Sequence, residues 1–263
     1  MTAVGRGPGG PWAPAVAACI FLALGSLGAE PAPGPGPFGI VYRAVAMPTG
    51  GTAHVMRVDL KHARIRVLDA QDHGGEPLTA EQFARETGAT AVVNASFFDI
   101  DGSPMGLLVV DGERRQKLRK VDWGVFAVDD DGGVRIVHTD AWAGEDGVAQ
   151  AVQSGPRLVV AGEVVDLKPQ AAERTAVCRR ADGKVDIVVT RRAATLDAFA
   201  RFLHDEGCVD ALNLDGGPST QLFLGRSGVS IDEPGGTPVP IALGVFVEGA
   251  AEIKPAKRGC AGD

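Results

Sequence analysis

Residues 195–217 read TLDAFARFLHDEGCVDALNLDGG, and this stretch contains the clearest helix, strand and turn signals of the chain. Within 196–206 the apolar side chains recur at the spacing of one helix face, between a threonine that can cap the helix and a glycine that can end it. The short apolar run 209–214 follows at once and predicts a buried strand. Asp215 then leaves that strand in a Gly-Gly turn, which places a carboxylate where the chain emerges from the core.

A second unit of the same layout lies earlier in the chain. Thr79 and Gln82 fit a capping box, because each side chain can satisfy a free backbone N–H of the other residue. A helix is therefore predicted from Thr79 to just before Gly88, which can close it. The strand-like run 91–94 follows and ends in a polar turn at Asn94. Polar residues at strand ends are common in ligand sites of α/β proteins, so both turns are candidate site elements.

Strand signals dominate the rest of the chain. Met56 and Val58 alternate with Arg57 and Asp59, which is the period of a strand with one buried face. Further short apolar or alternating runs predict strands at 65–68, 107–110, 124–128, 134–137, 157–160, 175–178, 185–190, 221–224 and 243–247. The sequence therefore predicts an α/β (α+β) fold with a strand-rich mixed sheet and two principal helices.

The composition limits the classes of protein to which the chain can belong. Its 263 residues are 45% hydrophobic, which suffices for one large core and only just for two small ones, so we expect one large domain. The formal net charge of −7 disfavours a general electrostatic grip on nucleic acid or on an anionic membrane. No nucleic-acid partner is therefore expected, and an anionic ligand must be held by a few local cations.

The start of the chain differs from the rest. Residues 1–29 have the pattern of a signal peptide, with an apolar run of about 13 residues where a bilayer-spanning helix needs roughly 20. Residues 30–38 alternate proline with alanine and glycine, as an extended tether would. We therefore expect an exported protein, periplasmic or secreted, with no stable membrane span. Its domain is predicted to cover 39–249 and its C-terminal tail 250–263.

The cysteines allow more than one arrangement. Cys19 follows small residues as in a lipoprotein cleavage box, yet it stands at the start of the apolar run and not at its end. Removal of a signal peptide would leave Cys178, Cys208 and Cys260, whose spacing fits neither a zinc knuckle nor a dense disulfide framework. One disulfide with one free thiol, and three separate thiols, are both compatible with the sequence.

The Asp215 turn could carry chemistry or could only shape the chain. A carboxylate at the end of an apolar strand is partly desolvated, which raises its pKa toward values useful for proton transfer. Gly216, Gly217, Ser219 and Thr220 offer backbone amides and hydroxyls, which can bind phosphate or sugar oxygens without a net positive charge. Alternatively, the aspartate only bonds the backbone amides that follow it.

Two arginines stand at the starts of predicted strands. Arg157 follows Ser154 in the stretch SGPRLV, and Arg174 precedes the run TAV. Such a pair could form a fork that grips a phosphate diester in a protein of negative net charge. Each arginine could equally pair with a neighbouring acid or tie the sheet together.

Four motifs, in this order, resemble the phosphodiester glycosidase family. They are NASFFD at 94–99, SGPRL at 154–158, RTA at 174–176 and LNLDGGPS at 212–219. The last motif is fairly specific, and the four in sequence are much more specific than any one of them. The resemblance covers about residues 43–247.

The resemblance implies hydrolysis of a small or polymeric sugar 1-phosphodiester, with Asn94, Arg157, Arg174 and Asp215 lining the site. On this hypothesis the two arginines hold the phosphate, together with the serine at 154 and the Gly-Gly turn. Asp215 acts as base or nucleophile, and Asp99 with Asn94 orients the sugar or a water. Phosphate is a good leaving group, so clamping by arginine can replace much of the work of a general acid.

Two positions depart from the family pattern. Ala95 and Ser96 follow Asn94 where two glycines are expected, so the backbone there has no need of a positive φ. Pro218 replaces a position that is often glycine, which stiffens the turn and could change the substrate.

Other enzyme classes lack their usual signals. The five histidines are scattered, and neither an HExxH zinc motif nor a GxSxG nucleophile elbow occurs. Asp99, Asp101 and Ser103 alternate as cation ligands do, but the twelfth position of that run is Val110, so it is not an EF-hand loop. We expect no cofactor; a divalent cation at this aspartate turn is the alternative.

The dense basic run 114–120 reads RRQKLRK and has two interpretations. It could touch an anionic polymer, or it could be the solvated arm of a hairpin. The whole domain likewise has an alternative to catalysis, as a cell-envelope module that binds glycans or anionic polymers through the same groove. An enzyme of the same fold that acts on a polysaccharide linkage or a plain phosphodiester is a third interpretation.

Overall fold

The structure is a computed structural model and describes residues 39–226 and 229–247, apart from the side chains of residues 226 and 229. The predicted signal peptide, tether and tail, together with Cys19 and Cys260, lie outside the described residues. Within the described part of the chain, no helix is long and apolar enough to cross a membrane.

Both predicted helices are present and begin at their predicted caps. Helix α1 spans Ala80–Thr87; the Thr79 hydroxyl accepts a bond from the Gln82 amide, and the Gln82 side chain accepts one from the Thr79 amide. Helix α2 spans Leu196–Asp205 and is capped by Thr195. A glycine of positive φ follows each helix closely and redirects the chain into a strand.

Seventeen strands account for most of the other regular structure in the described residues. They are β1 (Ile40–Ala46), β2 (Thr52–Val58), β3 (Ala63–Asp69), β4 (Ala91–Asn94), β5 (Leu108–Val110), β6 (Glu113–Gln116), β7 (Gly124–Asp129), β8 (Val134–His138), β9 (Val148–Ser154), β10 (Arg157–Val160), β11 (Glu163–Val164), β12 (Ala171–Arg180), β13 (Val185–Thr195), β14 (Cys208–Asn213), β15 (Leu222–Arg226), β16 (Val229–Glu233) and β17 (Ile241–Val247). Sheet A has the order β1-β2-β13-β12-β14-β10-β11, sheet B the order β16-β15-β4-β17-β3, and sheet C the order β6-β5-β9-β7-β8.

The strand-rich α+β class with two helices is confirmed, but the strands are not arranged as a mixed sheet. Every pairing between the named strands is antiparallel. Strands β13 and β14 both pair with β12, so they run in the same direction on either side of it. Their connection must cross the face of sheet A, and α2 makes that crossing. Helix α2 therefore connects two strands of an antiparallel sheet.

One apolar core fills the space between the three sheets. It combines Val177 and Leu212 of sheet A with Val93 of sheet B and with Phe126 and Val152 of sheet C, all of them fully buried. Burial of each such side chain stabilises the fold by about 1.5–3 kcal/mol relative to exposure. The three sheets thus form one cooperative unit around a shared interior.

The helices cover the outer faces of two sheets. Helix α2 packs Phe199 and Leu203 against the face of sheet A that points away from the central core. Helix α1 packs Phe83 and Ala84 against sheet B in the same way. Both helices lie on the outside of the sheets. The ends of β4 and β14, the strands that follow them, are therefore not covered by a helix and lie where sheets A and B meet.

A disulfide joins Cys178 of β12 to Cys208 at the start of β14, with the Cα atoms 5.6 Å apart. Of the two arrangements compatible with the sequence, the one with a disulfide is therefore present. The bond fastens the strand that carries Arg174 to the strand that leads into the Asp215 turn.

Replacing Cys178 and Cys208 together with alanine should lower the free energy of unfolding by about 3–4 kcal/mol. The bond closes a loop with a sequence separation of 30 residues, and loss of the bond restores that loop's entropy to the unfolded chain. Urea unfolding with and without dithiothreitol measures the effect. The reductant should lower the wild-type midpoint and leave the double variant unchanged; equal midpoints for all four samples would contradict the prediction.

Candidate active site

Strand β14 brings the Asp215 turn to the seam between sheets A and B. Leu214 N donates to the Thr175 carbonyl of sheet A at 2.9 Å. The next amide, Asp215 N, donates to the Ala95 carbonyl at 2.8 Å, just after β4 of sheet B. Two successive amides therefore fix the turn to both sheets.

Asn94 holds the main chain of that turn from inside. Its Nδ2 donates to the carbonyl oxygen of Asp215 at 2.6 Å, and its Oδ1 accepts bonds from Thr175 Oγ1 at 2.7 Å and Gln221 N at 3.2 Å. The side chain is fully buried. The sequence predicts that Asn94 orients the sugar or a water; the structure shows its side chain bonded to the main chain of the Asp215 turn and of Gln221 and to Thr175 Oγ1.

The Asp215 carboxylate is half-buried and has no cationic partner among the described residues. Burial raises its pKa, and hydrogen bonds from the Ser219 hydroxyl and the Gly216 amide partly offset that rise. The Gly216 amide donates to Asp215 Oδ1 at 2.8 Å. A carboxylate with a raised pKa and no counter-charge is suited to accept a proton during a reaction.

The glycines of the turn let it pass close to β12. A Cβ on Gly216 would lie 2.6 Å from the carbonyl oxygen of Glu173, which leaves no room for a side chain. Gly217 has a φ of 58°, in the left-handed region that favours glycine. Ala95 and Ser96 have no positive φ, in agreement with the departure noted in the sequence.

Arg157 is a cation without a partner on β10, the strand that pairs with β14. Its stem packs over Gly124, where a Cβ would lie 2.9 Å from Arg157 Cγ. The side chain is half-buried, and its guanidinium has no hydrogen-bond or ion-pair partner in the described part of the chain. Most of the other described arginines pair with aspartate or glutamate. The planar fork of Arg157 is therefore available to an anionic ligand.

Arg174 is more committed than Arg157. Its Nε donates to the Ala194 carbonyl at 3.2 Å and its Nη2 donates to the Gln170 carbonyl. Burial lowers its pKa, although a guanidinium stays protonated in proteins. Its Nη1 has no partner in the described residues and lies 3.9 Å from where a Gly216 Cβ would be. The sequence predicts that the two arginines form a fork; in the structure Arg174 donates to two main-chain carbonyls, whereas Arg157 has no partner among the described residues.

Four buried polar atoms around the turn lack hydrogen-bond partners. They are Ser96 Oγ, Ser154 Oγ, Asn213 Oδ1 and Thr220 Oγ1, four of the six such atoms in the described residues. An unpaired buried polar group costs about 1–3 kcal/mol, so such groups usually meet a ligand or an ordered water. Three of the four lie in the sequence motifs and Thr220 directly follows the last of them, so these residues form a candidate site for a polar ligand.

Asp99 is not brought to the Asp215 turn by any contact among the described residues. It lies in an exposed turn, where its Oδ1 accepts a bond from the Ile100 amide at 2.8 Å. Asp101 in the same turn accepts a bond from the Ser103 amide at 2.9 Å. No group of three or more His, Cys, Asp or Glu side chains within the described residues is placed to hold a metal ion.

Residues with no role in the sequence analysis hold this site together. Thr175 Oγ1 and the Gln221 amide both donate to Asn94 Oδ1. Gln221 Oε1 in turn accepts a bond from the Ala80 amide at the start of α1, at 2.7 Å. Arg191 bonds Glu173 at 2.9 Å and also donates to the carbonyl oxygen of residue 220. Thr175 lies inside a family motif, which is a usable signal. Nothing in the local pattern around Gln221 marks a buried glutamine.

Comparison with known proteins agrees with the motifs. A family model described as phosphodiester glycosidase matches residues 87–246. No curated protein matches the chain.

Similar solved structures show the same fold. One is the zebrafish N-acetylglucosamine-1-phosphodiester alpha-N-acetylglucosaminidase catalytic domain auto-inhibited by its pro-peptide, with a TM-score of 0.63 and 18% identity over 81% of this chain and 85% of that chain. A hypothetical protein from Synechocystis has a TM-score of 0.65 and 19% identity over 80% of this chain and 62% of that chain. A Burkholderia pseudomallei protein, provisionally described as exported, has a TM-score of 0.56 and 15% identity over 76% and 75% of the two chains.

Proposed function

We propose that this chain, which belongs to the phosphodiester glycosidase family, hydrolyses the bond between a sugar C1 and a phosphodiester at the Asp215 turn. The observation that carries the proposal is a carboxylate and a guanidinium without partners in the described residues, the first in the turn after β14 and the second on β10, which pairs with β14, together with buried polar atoms that lack partners. A sugar phosphodiester supplies what these groups lack, because it combines one negative charge with many hydroxyls.

Arg157 is assigned to the phosphate. When the bond from C1 to oxygen breaks, its electron pair moves to the departing phosphate, and a preorganised guanidinium stabilises the charge that develops there. Ser154, which directly precedes the Gly-Pro step to Arg157, offers an unpartnered hydroxyl to the same group. Arg174 can contribute its remaining Nη1 from the other side of the turn.

Asp215 is assigned to the sugar side of the reaction. Positive charge develops at C1 as the phosphate leaves, and a carboxylate stabilises it. A water oxygen then bonds C1 and passes a proton to Asp215, or Asp215 attacks C1 first and water releases the sugar in a second step. Asn94 and Thr175 serve this step indirectly, because they fix the main chain that carries the carboxylate.

We also infer that the protein acts outside the cytoplasm, in the periplasm or as a secreted protein. Residues 1–29 have a signal-peptide pattern. The disulfide between Cys178 and Cys208 supports the same location, because such bonds persist in oxidising compartments.

The proposal is tested with a panel of sugar 1-phosphodiesters that differ in the sugar and in the group beyond the phosphate. Free sugar and the phosphate-containing product are measured separately. Release of free sugar with a phosphate monoester is the expected result. Release of a sugar 1-phosphate would show cleavage on the other side of phosphorus, by a plain phosphodiesterase. Saturable binding without any product, across the whole panel, would favour a non-catalytic glycan-binding module.

A further inference from the structure

The first half of the basic run 114–120 is neutralised within the protein. Arg114 pairs with Glu145 at 3.5 Å. Arg115 pairs with Asp69 at 3.1 Å and Asp72 at 2.7 Å. These two arginines belong to β6 at the edge of sheet C, and their charges are neutralised by ion pairs within the protein.

The second half of the run is different. Lys117, Arg119 and Lys120 are exposed, and none of these side chains has a carboxylate partner in the described part of the chain. Leu118 lies between them and packs onto the outer apolar cluster of sheet C. We call Lys117, Arg119 and Lys120 the basic strip. In a chain of net charge −7, three neighbouring cations without partners form a local surface of the opposite sign.

A buried glutamine fixes the main chain at Arg119, in the middle of the strip. Gln153 is fully buried, and its Oε1 accepts a bond from Arg119 N at 2.9 Å while its Nε2 donates to the Arg119 carbonyl at 2.7 Å. The same side chain bonds the Leu107 amide at 3.0 Å and Thr139 Oγ1 at 3.0 Å. A solvated hairpin arm has no need of such an anchor, because water can satisfy its backbone.

The basic strip continues into the candidate active site through Trp123. The Arg119 guanidinium carbon lies 5.7 Å from the centroid of the Trp123 ring. That ring fills the space beside Gly155, where a Cβ would lie 2.5 Å from Trp123 Cδ1. Gly155 stands two residues before Arg157, and Phe97 packs on the other part of the ring at a centroid distance of 5.0 Å. Arg119 is therefore linked through Trp123 to the SGPRL motif that contains Arg157.

We propose that the basic strip binds the continuing chain of a polyanionic substrate, a glycan whose repeats are joined by sugar phosphodiesters. The proposal rests on the proposed function for its catalytic step. An isolated diester carries one negative charge, which Arg157 can neutralise alone. Three further cations, of which Arg119 is linked through Trp123 to the motif of Arg157, match a ligand that carries more phosphates along its length.

The test compares two substrates that differ only in length. One is a synthetic octamer of N-acetylglucosaminyl 1-phosphate repeats, and the other is the methyl diester of a single repeat. In the wild type, kcat/KM per cleavable bond should be about tenfold higher for the octamer, mainly through KM, and this advantage should shrink as added salt screens the charges. The variant K117Q/R119Q/K120Q should lose the advantage and keep its turnover of the methyl diester.

A matched control removes three positive charges elsewhere. Arg85, Lys184 and Arg201 form exposed ion pairs of little energetic worth, so R85Q/K184Q/R201Q has the same net charge without touching the strip. This control should keep the octamer advantage. Loss of the advantage in the control as well would mean that net charge, and not the strip, is responsible, and would overturn the proposal.

Other results separate this proposal from the proposed function. A wild type that cleaves both substrates equally well overturns the strip proposal alone. A wild type that binds the octamer but cleaves neither substrate contradicts the proposed function; the strip proposal then stands or falls on whether the triple variant loses that binding. Equally tight binding of single-stranded DNA of the same charge overturns the assignment to a phosphoglycan.

Discussion

Asp215→Asn should lower kcat on a sugar 1-phosphodiester by on the order of 10³-fold, within the range for loss of a proton-transfer group. The variant keeps the size and shape of the side chain but can no longer accept a proton or stabilise positive charge at C1. The bond from the Gly216 amide can be kept by the amide oxygen of asparagine, so the turn should keep its shape. Steady-state kinetics on the substrate found in the panel measures the change.

The same variant should not be less stable than the wild type at neutral pH. Burial raises the pKa of Asp215 in the folded state above its ordinary value of 3.8, so ionisation of this group costs stability. The stability that protonated Asp215 contributes to the folded state is present in full below the unfolded-state pKa. It is lost as the pH rises through the folded-state pKa. The melting temperature of Asp215→Asn, relative to wild type, should therefore rise across that window.

Asp99→Asn is the matched control for this prediction. It makes the same chemical change in an exposed turn that has no contact with Asp215 in the described residues. Its kcat should stay within about twofold of wild type, because the change touches neither reacting group. Full activity in Asp215→Asn, or an equal loss in Asp99→Asn, would show that the assignment of the catalytic carboxylate is wrong.

Arg157→Gln should lower kcat/KM by about 10²–10³-fold, the loss expected when one preorganised donor to a developing anion is removed. Arg157→Lys should lie between this variant and the wild type. Lysine restores the charge but not the planar pair of donors that matches a phosphate. Neither variant should lose much stability, because the Arg157 guanidinium has no partner in the described residues.

The control for Arg157 is Arg179→Gln on strand β12 of the same sheet. Arg179 donates two bonds to Asp210, so its removal should cost stability, by up to about 1 kcal/mol, and leave kcat/KM unchanged. Opposite patterns in the two variants are expected, with activity lost in one and stability in the other. If Arg157→Gln keeps wild-type kcat/KM, the phosphate is held elsewhere.

The features that sequence predicts well here are local ones. Each helix is bounded by a threonine cap and a nearby glycine, and these signals act within a few residues, so both helices begin where predicted. The Asp215 turn follows from an apolar run that meets two glycines. The same short-range reasoning identifies the residues of the site as chemical candidates.

The features that sequence does not predict depend on long-range register. Whether Arg174 faces α2 or the central core is decided by its pairing with β13, where the register shifts between Ala172 and Arg174. The contact of Asn94 with Thr175 spans 81 residues and has no local signature. Asp99 has the residue type and the polar-turn setting of a site residue, but only the fold shows that this turn is exposed. Antiparallel pairing in all three sheets is likewise a property of the assembled fold.

The two amides that fasten the Asp215 turn to two sheets also bear on how the molecule acquires activity. Their acceptors, Thr175 and Ala95, are far from the turn and from each other along the chain. No short contiguous fragment can therefore contain a working site. Contacts of such high contact order form late in folding. Recovery of activity after dilution from denaturant should thus follow the docking of the sheets, and a chain with native secondary structure but undocked sheets should be inactive.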